Sequence, residues 1–166
     1  MKQLISAVTK ALENENWYAA LYLALTLPDV CGNIQHPELK TEKRYVQWFD
    51  EYLSDKYIHE VGANREKLTF LSAEDCYALR CSLLHEGIDV ISHQRCKKGL
   101  DSFRFTTTGS HCNYIDIGGK PLLQLDVGRF CNDVCDSVEV WLSDVANDST
   151  AQERLSQIVT IDRIRF

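Results

Sequence analysis

From Trp17 to Leu27 the chain reads Trp-Tyr-Ala-Ala-Leu-Tyr-Leu-Ala-Leu-Thr-Leu, with almost no polar side chain. Alanine and leucine are strong helix formers. A helix that is apolar on every side must be contacted on several sides, so this one is expected at the centre of the fold. Pro28 then either kinks the helix or opens a further turn, Gly32-Asn33 closes the segment, and His36-Pro37 makes a loop. The rest of the chain has to supply amphipathic helices to cover it. Leu4, Ile5, Val8, Ala11 and Leu12 recur at helical spacing over 2–13, and Asn14 and Asn16 suit a helix end and a new start. Tyr45, Val46, Phe49, Tyr52 and Leu53 form the inner stripe of a helix over 41–55, with Glu42, Lys43, Asp50 and Glu51 facing water. Phe130, Val134, Val138, Trp141, Leu142 and Val145 make the cleanest stripe, and Ala151, Leu155, Ile158 and Val159 suggest a short last helix. Residues 56–71 read as a loop around Gly62-Ala63-Asn64.

Between these helices the period changes to two. Phe103-Arg-Phe105-Thr alternates, Tyr114-Ile-Asp-Ile117 is β-prone, Gly118-Gly119 is a turn signal, and Leu123-Gln-Leu125-Asp alternates again. The expected element is a small antiparallel β-meander over about 102–126, with the tail Ile161–Phe166 as a strand added to it. The fold class is therefore mainly α with a small inserted sheet. The chain of 166 residues is one domain over 1–166, without repeat or dividing linker.

Composition excludes several functions. Apolar residues at 45% and charged residues at 25% are a globular balance, and the net charge of -6 argues against a globally basic nucleic-acid binder. Any RNA contact must use a local patch. The seven cysteines are odd in number and none forms a CxxC pair, which favours reduced thiols, with Cys131 and Cys135 beside the Phe130 stripe. His93, Cys96, His111, Cys112, Cys131 and Cys135 match no standard zinc spacing, so no metal is expected. Gly118-Gly119-Lys120 lacks the context of a phosphate loop, there is no dinucleotide fingerprint, and no cofactor is expected. The first apolar run breaks at Thr9-Lys10, and no stretch reaches the length of a membrane span, so the expected location is the cytoplasm, with no membrane partner.

Ser72-Ala-Glu-Asp75 starts a helix, with Ser72 as N-cap and Asp75 at N3 in a capping-box variant, and Gly87 ends it. Within it, the helical neighbours of Arg80 are Cys76, Tyr77, Leu83 and Leu84, none of which pairs with a charge. A guanidinium beside an apolar stripe must find an acceptor elsewhere, reach a cleft, or wait for an anion; its planar fork suits phosphate. His85 lies in the last turn, where the helix dipole and free carbonyls favour a protonated imidazole. Five residues rotate about 140°, so the two side chains lean into one groove rather than stack. The bland alternative is that Arg80 pairs with a buried carboxylate and His85 only caps the helix. Asp29, near the Pro28 break, and Arg44, at the head of the third helix, are candidate partners of the groove. The run His93-Gln-Arg95-Cys-Lys97-Lys98 either holds RNA phosphates through Arg95, Lys97 and Lys98 or is a loop of solvated charges.

Arg80-Cys-Ser-Leu-Leu-His85 resembles the Arg-x4-His motif of HEPN ribonuclease domains, and Ser72 to Gly87 looks like that family's motif helix. The resemblance covers about residues 1–90 and the helix at 128–147; the meander is outside it. It implies an antiparallel helical bundle that cleaves RNA without metal by attack of the ribose 2′-OH on the neighbouring phosphorus. His85 would be general acid or base and Arg80 would stabilise the phosphorane. It also implies a homodimer through the motif helix, and a toxin or defence factor with an antitoxin or other protein partner. In active members the position after the arginine is commonly Asn, Asp or His; Cys81 stands there in this chain, as a possible accessory group. Some HEPN-like domains only bind a nucleotide or a protein, which is the alternative reading.

Overall fold

The computed structural model describes residues 1–161. Six α-helices are present among them: α1 Lys2–Glu13, α2 Trp17–Gln35, α3 Thr41–Tyr52, α4 Ala73–Glu86, α5 Val127–Asp144 and α6 Ser149–Ser156. The strands are β1 Ile58–Val61, β2 Glu66–Thr69, β3 Ser102–Thr106, β4 Asn113–Asp116 and β5 Pro121–Asp126. The chain is mainly α. No described helix is long and apolar enough to cross a membrane. The strand expected over 161–166 falls, beyond Ile161, outside the described residues.

The apolar α2 is central, as its composition requires: it touches α1, α3, α4, α5 and α6. It begins at Asn16, whose side-chain oxygen accepts from the Ala19 amide at 3.3 Å. It does not break at Pro28 or close at Gly32-Asn33 but runs to Gln35. A proline inside a helix costs about 3 kcal/mol. Here Ala24, Leu25, Leu27, Pro28 and Cys31 are all buried among neighbouring helices, and burial at about 25 cal/mol per Å² offsets that loss.

Two sequence expectations need correction. Residues 56–71 are not a loop: a 3-10 turn at Ser54–Tyr57, where α3 was expected to continue, leads into an antiparallel hairpin pairing Ile58 with Thr69 and Val61 with Glu66. All four β2 residues are exposed, so no buried face existed to write a period-two pattern. Nor is the sheet over 102–126 an antiparallel meander. Its order is β3-β5-β4, with β4 antiparallel to β5 but β3 parallel to β5. After β3 the chain crosses to the far side of β5 before turning back, and Asp126 holds that crossing. Its carboxylate accepts from the Gly109 amide at 2.8 Å, and its own amide donates to His111 Nδ1 at 3.2 Å. Alternation identifies a strand and its inner face; it carries no information about which strand lies beside it. The Gly118-Gly119 turn does connect β4 to β5, both glycines having positive φ.

All seven cysteines are free thiols, and Cys131 and Cys135 lie in the core as expected. Burial pushes Cys76 and Cys131 up to about 12, and Cys135 to about 11. Thiolate is the reactive form. A disulfide reagent such as Ellman's should therefore leave Cys31, Cys76, Cys131 and Cys135 unmodified in the native protein and titrate all seven thiols after denaturation. Rapid native modification of Cys131 would contradict this packing.

Candidate functional site

Helix α4 has the ends its sequence requires. The Ser72 hydroxyl accepts from the Asp75 amide at 3.1 Å, and Gly87 sits in the left-handed region at φ 72° with its amide on the Leu83 carbonyl. Asp75 departs from a capping box. Its carboxylate accepts from the Ser72 hydroxyl at 2.9 Å and from the amides of Lys98, Gly99 and Leu100 at 2.8 to 3.3 Å. It fastens the 88–101 connection onto the start of α4.

Arg80 finds its acceptor across the bundle. Its Nη2 donates to Asp29 Oδ2 at 3.0 Å, while Asp29 Oδ1 accepts from Arg44 Nε at 3.0 Å. Arg44 Nη1 donates to Asn33 Oδ1 at 2.7 Å. The side chains of Arg80 and Asp29 are each 16% exposed, and that of Arg44 is 18%. One carboxylate thus lies between two guanidinium groups, leaving a local surplus of positive charge in a chain of net charge -6. Arg80 Nε is buried with no protein partner. Such an orphan donor costs roughly 1 to 3 kcal/mol.

Arg44 reaches Asp29 because α3 starts close against α2. Gly32 permits this: a Cβ there would stand 2.6 Å from the Arg44 carbonyl oxygen. Gly32→Ala gains about 1 kcal/mol of helix propensity, but the obstacle is backbone, which cannot swing aside. Overpacking of this kind costs about 1 to 3 kcal/mol. The expected result is a melting midpoint lower by several degrees and displacement of Arg44, seen as altered Arg44 side-chain NMR shifts. An unchanged or raised midpoint would contradict the close approach.

His85 is exposed, and its Nε2 lies 3.4 Å from Arg80 Nη1. A guanidinium can only donate, so this contact needs a bare Nε2, with the neutral ring's proton on Nδ1. The expected protonated imidazole would have to swing away from Arg80 into solvent. Cys81 is half-buried beside Tyr77, whose phenol is raised to about 12 by burial first and then by the Cys81 thiol. Among the described residues no Cys81–His85 hydrogen bond is present.

Arg80, His85, Asp29 and Arg44 are therefore brought together. The basic run docks beside the last turns of α4, but among the described residues no hydrogen bond or ion pair joins it to Arg80 or His85. Gln94 docks it by donating to Ser82 Oγ and Glu86 Oε1, both at 3.1 Å, and His93 pairs with Glu86. Ser82 and Glu86 lie two and six residues after Arg80, rotated about 200° and 240° from it. Lys97 is engaged by Asp101 at 2.7 Å, whereas Arg95 and Lys98 are exposed. The sequence marks Asn33 only as part of the Gly32-Asn33 helix end, not as a partner of Arg44. Its signal is the i,i+4 spacing from Asp29, which shows only once α2 is carried through Pro28.

A cavity of about 540 Å³ opens on the other side of Asp29 and Arg44, lined also by Arg154 and Gln157 but by neither Arg80 nor His85. Among the described residues no cluster of three or more His, Cys, Asp or Glu side chains is placed to hold a metal. Comparison with known proteins brings no match for this chain: no family model, no curated protein and no solved structure matches it.

Proposed function

We propose that this chain is a metal-independent endoribonuclease of HEPN type, cleaving RNA at the Arg80–His85 pair. The observation that supports the reading most is the 3.4 Å approach of Arg80 Nη1 to Nε2 of an exposed His85. In this mechanism His85 takes the proton of a ribose 2′-OH, the oxygen attacks the adjacent phosphorus, and the bond to the 5′ oxygen breaks. The products are a 2′,3′-cyclic phosphate and a 5′-OH, the leaving oxygen receiving a proton from an imidazolium. Arg80 faces the charge that grows on the non-bridging oxygens, and Asp29 holds the guanidinium in place while Arg44 shares that carboxylate. Tyr77, Cys81 and Leu84 form a half-buried stripe on α4 that suits a second copy of the chain, whose own His85 would be the acid.

A second reading is favoured by one observation. Arg80 is largely buried and already paired with Asp29, which suits a non-catalytic module that binds a nucleotide or a protein. The deciding experiment incubates purified protein with mixed RNA in excess chelator and analyses the new ends. Cyclic phosphate and 5′-OH ends that vanish in His85→Ala support the nuclease. No cleavage, or cleavage that survives His85→Ala, rejects it.

A further inference from the structure

We propose that the hollow between the start of α2 and the end of α4 is a nucleobase subsite, holding a base of the same strand a short way along from the phosphate that Arg80 and His85 engage; this rests on the RNA reading above. The hollow has a volume of about 470 Å³ and is lined by Tyr18, Tyr22, Leu83, Ile88, Val90 and Phe105. Tyr18 is 79% exposed, a large apolar face left in water on an otherwise well-packed helix, and Ile88 and Val90 at its rim are 40% exposed. Isolated exposed apolar residues need no explanation, but three around one concave, aromatic-lined site form a recognition surface.

Its position identifies the ligand class. Tyr18 and Tyr22 are four residues apart on α2, and Asp29 follows seven residues after Tyr22, on the same side of the helix. On α4, Leu83 is three residues after Arg80, about 4.5 Å along the axis. Tyr22 and Tyr18 lie about 10 and 16 Å along the α2 axis from Asp29, so the aromatic hollow and the cationic cluster follow one another along the seam of α2 and α4, a span that a few nucleotides of one strand cover. A short RNA strand carries both of the groups these two features require, a flat π face and an anion. Aromatic side chains bind any base by its face, with little dependence on sequence. Asp89, at the rim, is the one acid among the lining residues. A carboxylate accepts from exocyclic amino groups, which favours adenine, cytosine or guanine over uracil.

The test uses the intact protein and two labelled hexanucleotides that cannot be cleaved, because every 2′-OH is methylated: one of adenosine, one with the same backbone but no bases. Fluorescence anisotropy is expected to show wild type binding the adenosine oligomer about tenfold more tightly than the abasic one, the size of a single stacking contact. Tyr18→Ala should bind both like the abasic oligomer, and Tyr18→Phe, which keeps the ring, should retain the preference. Equal binding of both oligomers by wild type overturns the subsite, as does a preference that survives Tyr18→Ala. If Tyr18→Ala instead lowers the sedimenting mass and leaves the preference unchanged, the hollow is a contact with a second copy and the proposal fails. The probe needs no cleavage, so a protein that shows the base preference but cuts no RNA retains the subsite and loses only the nuclease. Loss of the base preference with cyclic-phosphate cleavage intact has the opposite meaning.

Discussion

Asp75→Ala is expected to cause a larger loss of stability than truncation of any other polar side chain of α4. The Asp75 carboxylate is 4% exposed and accepts from four donors, three of them amides of Lys98, Gly99 and Leu100. Truncation leaves those amides without a partner, and each buried orphan costs roughly 1 to 3 kcal/mol. The Lys98 and Gly99 amides are only partly buried and regain some water, so the total should be about 3 kcal/mol. For a chain of this length that is a fall of roughly 6 to 12 °C in the melting midpoint. Amides 98–100 should also lose protection from hydrogen exchange before the helices do. Asp75→Asn keeps a carbonyl acceptor and should fall between wild type and Asp75→Ala. A midpoint for Asp75→Ala within 2 °C or so of wild type would show that the 88–101 connection does not depend on this carboxylate.

The second large effect separates chemistry from stability at the ion-pair cluster. His85→Ala is expected to lower the rate of RNA cleavage by roughly 10²- to 10⁴-fold, the usual worth of a general acid or base, with a near-normal melting midpoint because His85 is exposed. Arg80→Ala should lower it by about 10²- to 10³-fold through loss of transition-state charge stabilisation. Its effect on stability should be modest, about 1 to 2 kcal/mol. Removing one partner of a buried pair normally costs about 3 to 5 kcal/mol because a charge is stranded, but Asp29 keeps its 3.0 Å contact with Arg44. Asp29→Asn is the opposite case. It leaves Arg80 and Arg44 facing each other without a carboxylate, and should destabilise more than Arg80→Ala. Thermal unfolding of the three variants beside the chelator-resistant cleavage assay gives the order directly. If Arg80→Ala unfolds earlier than Asp29→Asn, the carboxylate is not the hub of the cluster.

Much of this arrangement is legible in the residues themselves. Helices α1, α3 and α5 follow from apolar spacing, and α4 from the Ser72 cap at its start and the Gly87 stop at its end, because caps and helical faces join residues at most four positions apart. The demand that Arg80 find a distant acceptor was equally local: its four helical neighbours offer none. Which acceptor it finds was not local. Asp29 is 51 residues away, and it meets Arg80 only because α2 continues through Pro28 and lies antiparallel to α4. Helix propensity counts Pro28 as a break, whereas burial on several sides outweighs that preference. The exposed β1–β2 hairpin wrote no alternating pattern, and the parallel pairing of β3 with β5 is set by the path of residues 107–112 and by Asp126. What the sequence determined by itself was therefore the number of helices, the inner faces of α1, α3 and α5 and the unmet need of one guanidinium; the last helix stops at Ser156, before the expected Ile158 and Val159, and leaves Val159 exposed. Tertiary structure alone decided the strand order, the grip of Asp75 on the 88–101 connection and the joining of Asp29, Arg44, Arg80 and His85, because these depend on contacts between residues far apart in the chain.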